Sequence, residues 1–282
     1  LRSPELEKLV ASTDSLPSIP VLYQQILNEI SSSDSSSQSV SRLIEKDVAL
    51  SAKLLQLVNS GFFALSKPVK DLTQAVTLVG LDAVEGILLH HHLFTVWKPD
   101  LNPLFDMETY WVHSLRTALM AREMAKQLSF SAHQRSFCFI GGLLHDVGRL
   151  LIASRHPVAF KKIQEMTKDG SLSSLEAEKE ILGSDHSEIG AGLCNLWGFP
   201  DDITEACLFH HRPLECPSRD CLPLTVIHVA DRFAHEINGV EVSKTRVSAE
   251  YITSLGLMDF VLFSRDALIT ENRWSAKALK AA

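Results

Sequence analysis

The chain is 282 residues long, enough to bury a substantial core in one large domain or two small ones. Its 45% hydrophobic and 22% charged residues make an ordinary globular composition, which argues against a disordered or membrane-embedded chain. A formal net charge of −7 disfavours a general nucleic-acid-binding surface, so no direct DNA binding is expected. The start Leu1-Arg2-Ser3-Pro4 has no initiator methionine and no signal-peptide layout, and reads as a cut from a longer chain or a processed start. The longest apolar runs, Phe137–Leu144 and Pro223–Ala230, are too short to span a bilayer, so no membrane association is expected. The five cysteines are odd in number and none has C-x-x-C spacing, which points to a reduced, cytoplasmic protein with Cys138 as a buried thiol.

Helical spacing of apolar residues begins at Val21–Ile30, with Val21, Leu22, Ile26, Leu27 and Ile30 in phase. The Ser31–Ser39 stretch is too polar to pack and predicts a mobile surface loop, with Asp34 or Ser39 able to cap the next helix. Val40–Glu45 and Ala49–Leu57 repeat the helical spacing, and Asn59-Ser60-Gly61 closes the second. Leu72–Phe94 is a long helical stretch interrupted near Val79-Gly80-Leu81-Asp82, where Asp82 can cap a second helix. Lys98–Pro103, with two prolines and no periodicity, is the best internal boundary. Beyond it, helices are predicted over Phe105–Leu128, Ala132–Ala153, Pro157–Lys168, Leu175–Leu182, Ser187–Trp197, Asp201–Phe209 and Leu222–Glu236. Gly198 and Pro200 stop one of these and Asp201 caps the next. No hairpin signal separates alternating strands, so the expected fold is all-α in two lobes. After Val240, Tyr251, Ile252 and Leu255 keep helical spacing up to a break at Gly256, and Arg273–Ala282 reads as a last helix or a frayed tail.

The chemistry concentrates after the boundary. His145-Asp146 stands at the polar end of a very apolar helical run, where a carboxylate is costly without a cation or hydrogen-bond donors. An imidazole and a carboxylate side by side offer a mixed N/O environment for a metal ion. Alone the dipeptide means little. His113 lies on a preceding helix, His186 opens a later one behind Asp185, His210-His211 ends another, and Asp231 sits inside an apolar helix. The ordered set H…HD…H…HH…D is far more specific than any member. His90-His91-His92 spread around a helix and cannot share one ion. His228, Asp231 and His235 fall on one helical face, which leaves His228 and His235 in supporting roles.

This ordered set resembles the metal-ligand pattern of HD-superfamily phosphohydrolases, especially the HD-GYP branch. Leu16-Pro17-Ser18-Ile19-Pro20, Asp47–Leu55, Val58–Phe63, Thr73–Leu81 and Trp197-Gly198-Phe199-Pro200 narrow the resemblance to the HDOD family, the HD-related output domain, over roughly residues 10 to 240. It implies a linker helix at 1–14 behind an upstream receiver or sensory domain, a helical lobe at 15–100, an HD-like helical lobe at 101–239 and a helical extension at 240–282. It further implies that His113, His145, Asp146 and Asp231 hold one divalent ion and His186, His210 and His211 a second. Fe, Mn, Zn, Ni and Mg are not distinguishable.

Two departures bear on activity. Arg149 stands where HD phosphohydrolases commonly carry Lys; it keeps a cationic fork as a phosphate contact. After His210-His211 the chain runs Arg212-Pro213-Leu214-Glu215 instead of into a Gly-Tyr-Pro segment, so cyclic di-GMP hydrolysis is not expected. The expectation is a regulatory output domain that binds metal and acts on an unknown protein partner. The alternative is a metal-dependent phosphohydrolase or phosphodiesterase acting on a nucleotide or cyclic nucleotide, with a nucleotide or phosphate as the ligand.

Overall fold

A computed structural model describes residues 21–30, 32–59, 65–97, 102–218, 221–237 and 247–269. The expected linker helix at 1–14, the Leu16–Pro20 motif, Ser60–Phe63, most of the boundary at 98–101, the segment 240–246 and Arg273–Ala282 lie outside these residues. Among the described residues all regular structure is helical, and no strand occurs.

The first five helices are α1 (Val21–Ile30), α2 (Ser37–Ile44), α3 (Val48–Val58), α4 (Leu72–Val79) and α5 (Leu81–Trp97). They pack on one another through Ile26, Val40, Ile44, Leu54 and Val76, all fully buried. The serine-rich stretch is more than the surface loop its composition predicts. Ser36, rather than Asp34 or Ser39, caps α2, and Ser39 answers it in a capping box, so the polar run supplies the helix start. Asp47 caps α3 and also accepts a hydrogen bond from Tyr23 at 3.2 Å, tying α1 to α3. Asn59 ends α3 by pairing both ways with Val69 at 2.7 Å. Asp82 lies within the first turn of α5 instead of capping it, because the helix resumes directly after Gly80.

The remaining helices build the site. They are α6 (Met107–Gln127), α7 (Ala132–Leu144), α8 (Val147–Arg155), α9 (Pro157–Thr167), α10 (Ser174–Leu182), α11 (His186–Leu196), α12 (Asp201–Phe209), α13 (Leu222–Ile237), α14 (Ala249–Ser254) and α15 (Met258–Ile269). Helices α6, α7 and α13 pack most closely together, α5 lies along α7, and α11 fills the angle between α8 and α12. Arg122 donates to the Val79 carbonyl at 2.7 Å, joining α6 to the end of α4. Asp201 is the first residue of α12 and contributes charge to its first turn; Pro200 holds the cap position.

The single helix expected over Ala132–Ala153 is broken. Helix α7 stops at Leu144, His145 and Asp146 form a turn, and α8 starts at Val147. The His145 ring donates through Nδ1 to the Gly142 carbonyl at 2.7 Å, and Asp146 holds the N-cap position of α8 without capping it. Its carboxylate is turned inward instead. Residues 132–155 are long and apolar enough to cross a bilayer by composition, but 83% of their apolar 18-residue stretch is buried inside the protein. Two glycines let the backbones close around the turn. A Cβ on Gly142 would stand 2.7 Å from Ala118 Cα on α6, and one on Gly148 only 2.0 Å from the His186 carbonyl oxygen.

Candidate metal centre

Seven side chains from five places converge at the His145–Asp146 turn. His113 comes from the middle of α6, His186 from the first position of α11, His210 and His211 from the end of α12, and Asp231 from α13. His113, His145, Asp146, His186, His210 and Asp231 are all buried, and His211 is half-buried.

Asp146 is the hinge of the arrangement. Its Oδ2 lies 3.8 Å from His113 Nε2 and 3.7 Å from His145 Nε2, while its Oδ1 lies 3.2 Å from His186 Nε2 and 3.8 Å from His210 Nε2. Asp231 Oδ1 closes the first side at 3.2 Å from His113 Nε2 and 3.6 Å from His145 Nε2. His211 Nε2 closes the second at 3.0 Å from His186 Nε2. The structure therefore brings together one group of His113, His145 and Asp231 and another of Asp146, His186, His210 and His211, with donor atoms within 4.8 Å of one another in each. Asp146 faces both.

Several of these atoms fit a cation and little else. Neither oxygen of Asp231 accepts a hydrogen bond of good geometry, and His210 Nε2 has no hydrogen-bond partner, although all three are buried. Leaving such atoms unmade is costly, and a divalent ion would satisfy them together. The ring orientations agree. His145, His186 and His210 spend Nδ1 on Gly142 O, Glu178 Oε2 and Cys207 O, each at 2.7 Å, which turns Nε2 toward the centre, where its lone pair is free for an ion that replaces any proton there. The donor set is mixed imidazole and carboxylate, suited to Fe, Mn, Zn or Ni.

The charges are strongly coupled. Burial alone would raise Asp146, but His145 and Arg149, followed by the His186 and His210 rings, hold it well below the usual carboxylate range. Asp231 is held down likewise against burial, by His235 and then His113 and His145. Burial pushes His113 down to about 4, against the pull of Asp231. For His186 burial is overcome by Glu178 and Asp146, which raise it to about 10. Burial also lowers His210 and His211.

Arg149, in the first turn of α8, lies 3.4 Å from Asp146 Oδ2 with its side chain 31% exposed. It stands at the edge of a cleft of about 520 Å³ that reaches His113, Asp146 and His235 and is walled by Phe105, Tyr110 and Phe160. His235 stacks on His113 at 4.4 Å and lies 3.3 Å from Asp231 Oδ1, beside the centre. His228 does not face it. Its Nδ1 donates to the His210 carbonyl at 2.6 Å, and its Nε2 accepts the Ser248 backbone N–H at 2.9 Å. His92 is buried at the edge of the Tyr23 ring, away from the centre, and the side chain of His90 lies outside the described residues.

Sequence reasoning missed three residues. Glu178 on α10 takes both the backbone N–H and the ring N–H of His186 at 2.7 Å, yet among Glu176, Glu178 and Glu180 nothing local marks it as the buried one. Arg212 donates to Asp185 at 2.7 Å and so braces the segment after His211 against the cap of α11. Arg232 stands 2.7 Å from His211 Nδ1.

The His228 arrangement gives a pH prediction. Burial lowers its pKa to about 4 from an ordinary 6.5. The unfolded chain therefore takes up the proton first, so the contribution to stability is full above the unfolded value and is lost as pH falls toward 4. Without added metal, the wild type should lose about 2 kcal/mol more than His228→Gln between pH 7.5 and pH 5 in urea unfolding. Equal slopes for the two proteins would refute this.

Comparison with known proteins places this geometry in a family. An uncharacterized protein of Treponema pallidum (strain Nichols) is 28% identical over 214 residues, which is 74% of this chain and 41% of that protein. The chain thus spans about two fifths of the length of this curated relative. A crystal structure of a candidate phosphohydrolase from Shewanella amazonensis SB2B superimposes with a TM-score of 0.72 at 23% identity, covering 97% of both chains. One of a candidate signal transduction protein from Marinobacter aquaeolei VT8 gives 0.74 at 21% identity, over 99% of this chain and 64% of that one. Both likenesses establish a common all-α fold. The family model of the HDOD domain matches residues 16–213, most of the chain, and the chain belongs to the HDOD family.

Proposed function

We propose that this chain is the output module of a signalling protein, holding two divalent ions at an HD-type centre and acting through contact with a partner protein. The observation that carries the metal reading is Asp146, whose two oxygens face separate groups of imidazoles. His113, His145, Asp146 and Asp231 would hold the first ion; Asp146, His186 and His210, with His211 beside them, would hold the second. The output role is supported by HDOD membership and by the chain matching only part of its relatives. An upstream receiver or sensory domain in the full-length protein belongs to this proposal.

A second reading rests on the cleft. It leads from the surface past Arg149 to the donor atoms, which a purely structural metal site would not need. Metal bound there would supply Lewis-acid stabilisation of charge on a phosphoryl group. Arg149 would orient the phosphate, and the Phe105, Tyr110 and Phe160 wall would hold an apolar part of the substrate and limit water. The two readings separate in a screen of metal-loaded protein against phosphomonoesters, nucleotides and cyclic nucleotides, beside His145→Ala. The output reading expects the same background from both proteins. Turnover that His145→Ala abolishes would give the conclusion to the hydrolase.

A further inference from the structure

Three of the centre's histidines are wired alike and one is wired in reverse. His145, His186 and His210 each place Nδ1 against an oxygen acceptor at 2.7 Å. With an ion bound in place of any proton on Nε2, an imidazole so held keeps its proton on Nδ1 and gives its Nε2 lone pair to the ion. At His211 the neighbour of Nδ1 is the Arg232 Nη2, also at 2.7 Å. A guanidinium is charged at every accessible pH and has no acceptor, so it must donate. Nδ1 of His211 is then the acceptor, and the ring proton lies on Nε2. That N–H stands 3.0 Å from His186 Nε2, beside the Asp146 carboxylate. Arg232 has little freedom to turn away. Its side chain is 14% exposed, and its Nε lies 3.8 Å from Asp231 Oδ2.

A nitrogen that carries a proton cannot ligate a metal through the same position. We infer that His211 is not a ligand of the second ion but a fixed hydrogen-bond donor, aimed by Arg232 at a coordination position that the protein leaves open for an anionic oxygen of the phosphate class. This rests on the two-ion reading and deepens it. The second subsite then has three protein ligands, Asp146, His186 and His210, which is the count of an open site rather than a closed structural one. With the His186 lone pair given to an ion, the His211 N–H needs a new acceptor, and a phosphate oxygen bound at the open position supplies one. Arg232 is a positioning residue that acts through His211.

Three measurements test this. In metal-free protein labelled with ¹⁵N-histidine, the signals lost in His211→Ala should be those of the Nε2–H tautomer; an Nδ1–H tautomer would overturn the inference. In calorimetry with Mn²⁺, His211→Ala should keep the second ion within about threefold of the wild-type affinity, while His186→Ala should weaken it by about 100-fold or more. Loss of that ion from His211→Ala as from His186→Ala would also overturn it. Inorganic phosphate should bind Mn²⁺-loaded His211→Ala about tenfold more weakly than wild type, and His211→Gln, whose amide N–H takes the place of Nε2–H, should recover most of the loss. Unchanged phosphate affinity in His211→Ala would refute the donor role. Wild-type protein that binds no Mn²⁺ would instead sink the metal reading and the open position with it, while the nitrogen spectrum would still decide the Arg232–His211 pairing.

Discussion

Asp146→Ala is expected to empty both metal subsites, whereas Asp231→Ala empties only the first. The difference comes from reach. Asp146 turns one oxygen toward His113 and His145 and the other toward His186 and His210, while Asp231 faces His113, His145 and the neighbouring His235 on the first side. Loss of a direct ligand should exceed the 10–100-fold that removal of an outer partner costs, so each affected ion is expected to bind at least about 100-fold more weakly. The same change should weaken the metal-free fold. His186, raised to about 10 between Glu178 and Asp146, would lose one of its two carboxylates inside a buried site. Breaking one side of a buried charge network costs about 3 kcal/mol. Equilibrium dialysis with elemental analysis reads the first effect, and thermal unfolding in chelator reads the second. A variant that keeps both ions would refute the bridging role.

The second large effect is expected at a glycine. In Gly148→Ala the new Cβ would meet the His186 carbonyl oxygen at 2.0 Å and the His186 carbonyl carbon at 2.8 Å. Both contacts are backbone, so relief requires α8 and α11 to separate, and α11 carries His186. Overpacking of this kind costs about 3 kcal/mol, a fall in Tm of roughly 6–12 °C for a domain of this size, and the second subsite should lose its ion. Gly190→Ala lies in the same interface, yet its Cβ would meet nothing closer than 3.4 Å. There the gain in helix propensity, up to about 1 kcal/mol, should offset the contact. Comparable destabilisation by the two changes would mean that α8 and α11 do not pack backbone to backbone at Gly148.

The order of histidines and aspartates could be read from the sequence because a buried carboxylate needs a counter-charge wherever it sits, and Asp146 and Asp231 both fall in apolar helical runs. The helical architecture was equally plain, since apolar spacing persists through nearly every segment. The break between α7 and α8 could not be read. Apolar residues continue in phase on both sides of His145-Asp146, and the turn exists because the two side chains are drawn inward to the other imidazoles. The start of α2 was hidden for a different reason. Serine is a weak helix former but a strong cap, and composition alone cannot say which use Ser36 serves. His228 supports the centre only from outside it. It is spaced to share a face with Asp231, but the His210 carbonyl and the Ser248 N–H occupy both of its nitrogens. Glu178 and Arg232 act through long-range contacts that no local pattern announces.

The central claim is a two-ion centre joined by Asp146, and metal stoichiometry tests it most directly. Protein expressed in iron- and manganese-supplemented medium and analysed by native mass spectrometry should carry two ions per chain in the wild type, one in Asp231→Ala and none in Asp146→Ala. A wild-type chain without metal, or an Asp146→Ala chain that still carries two ions, would contradict it.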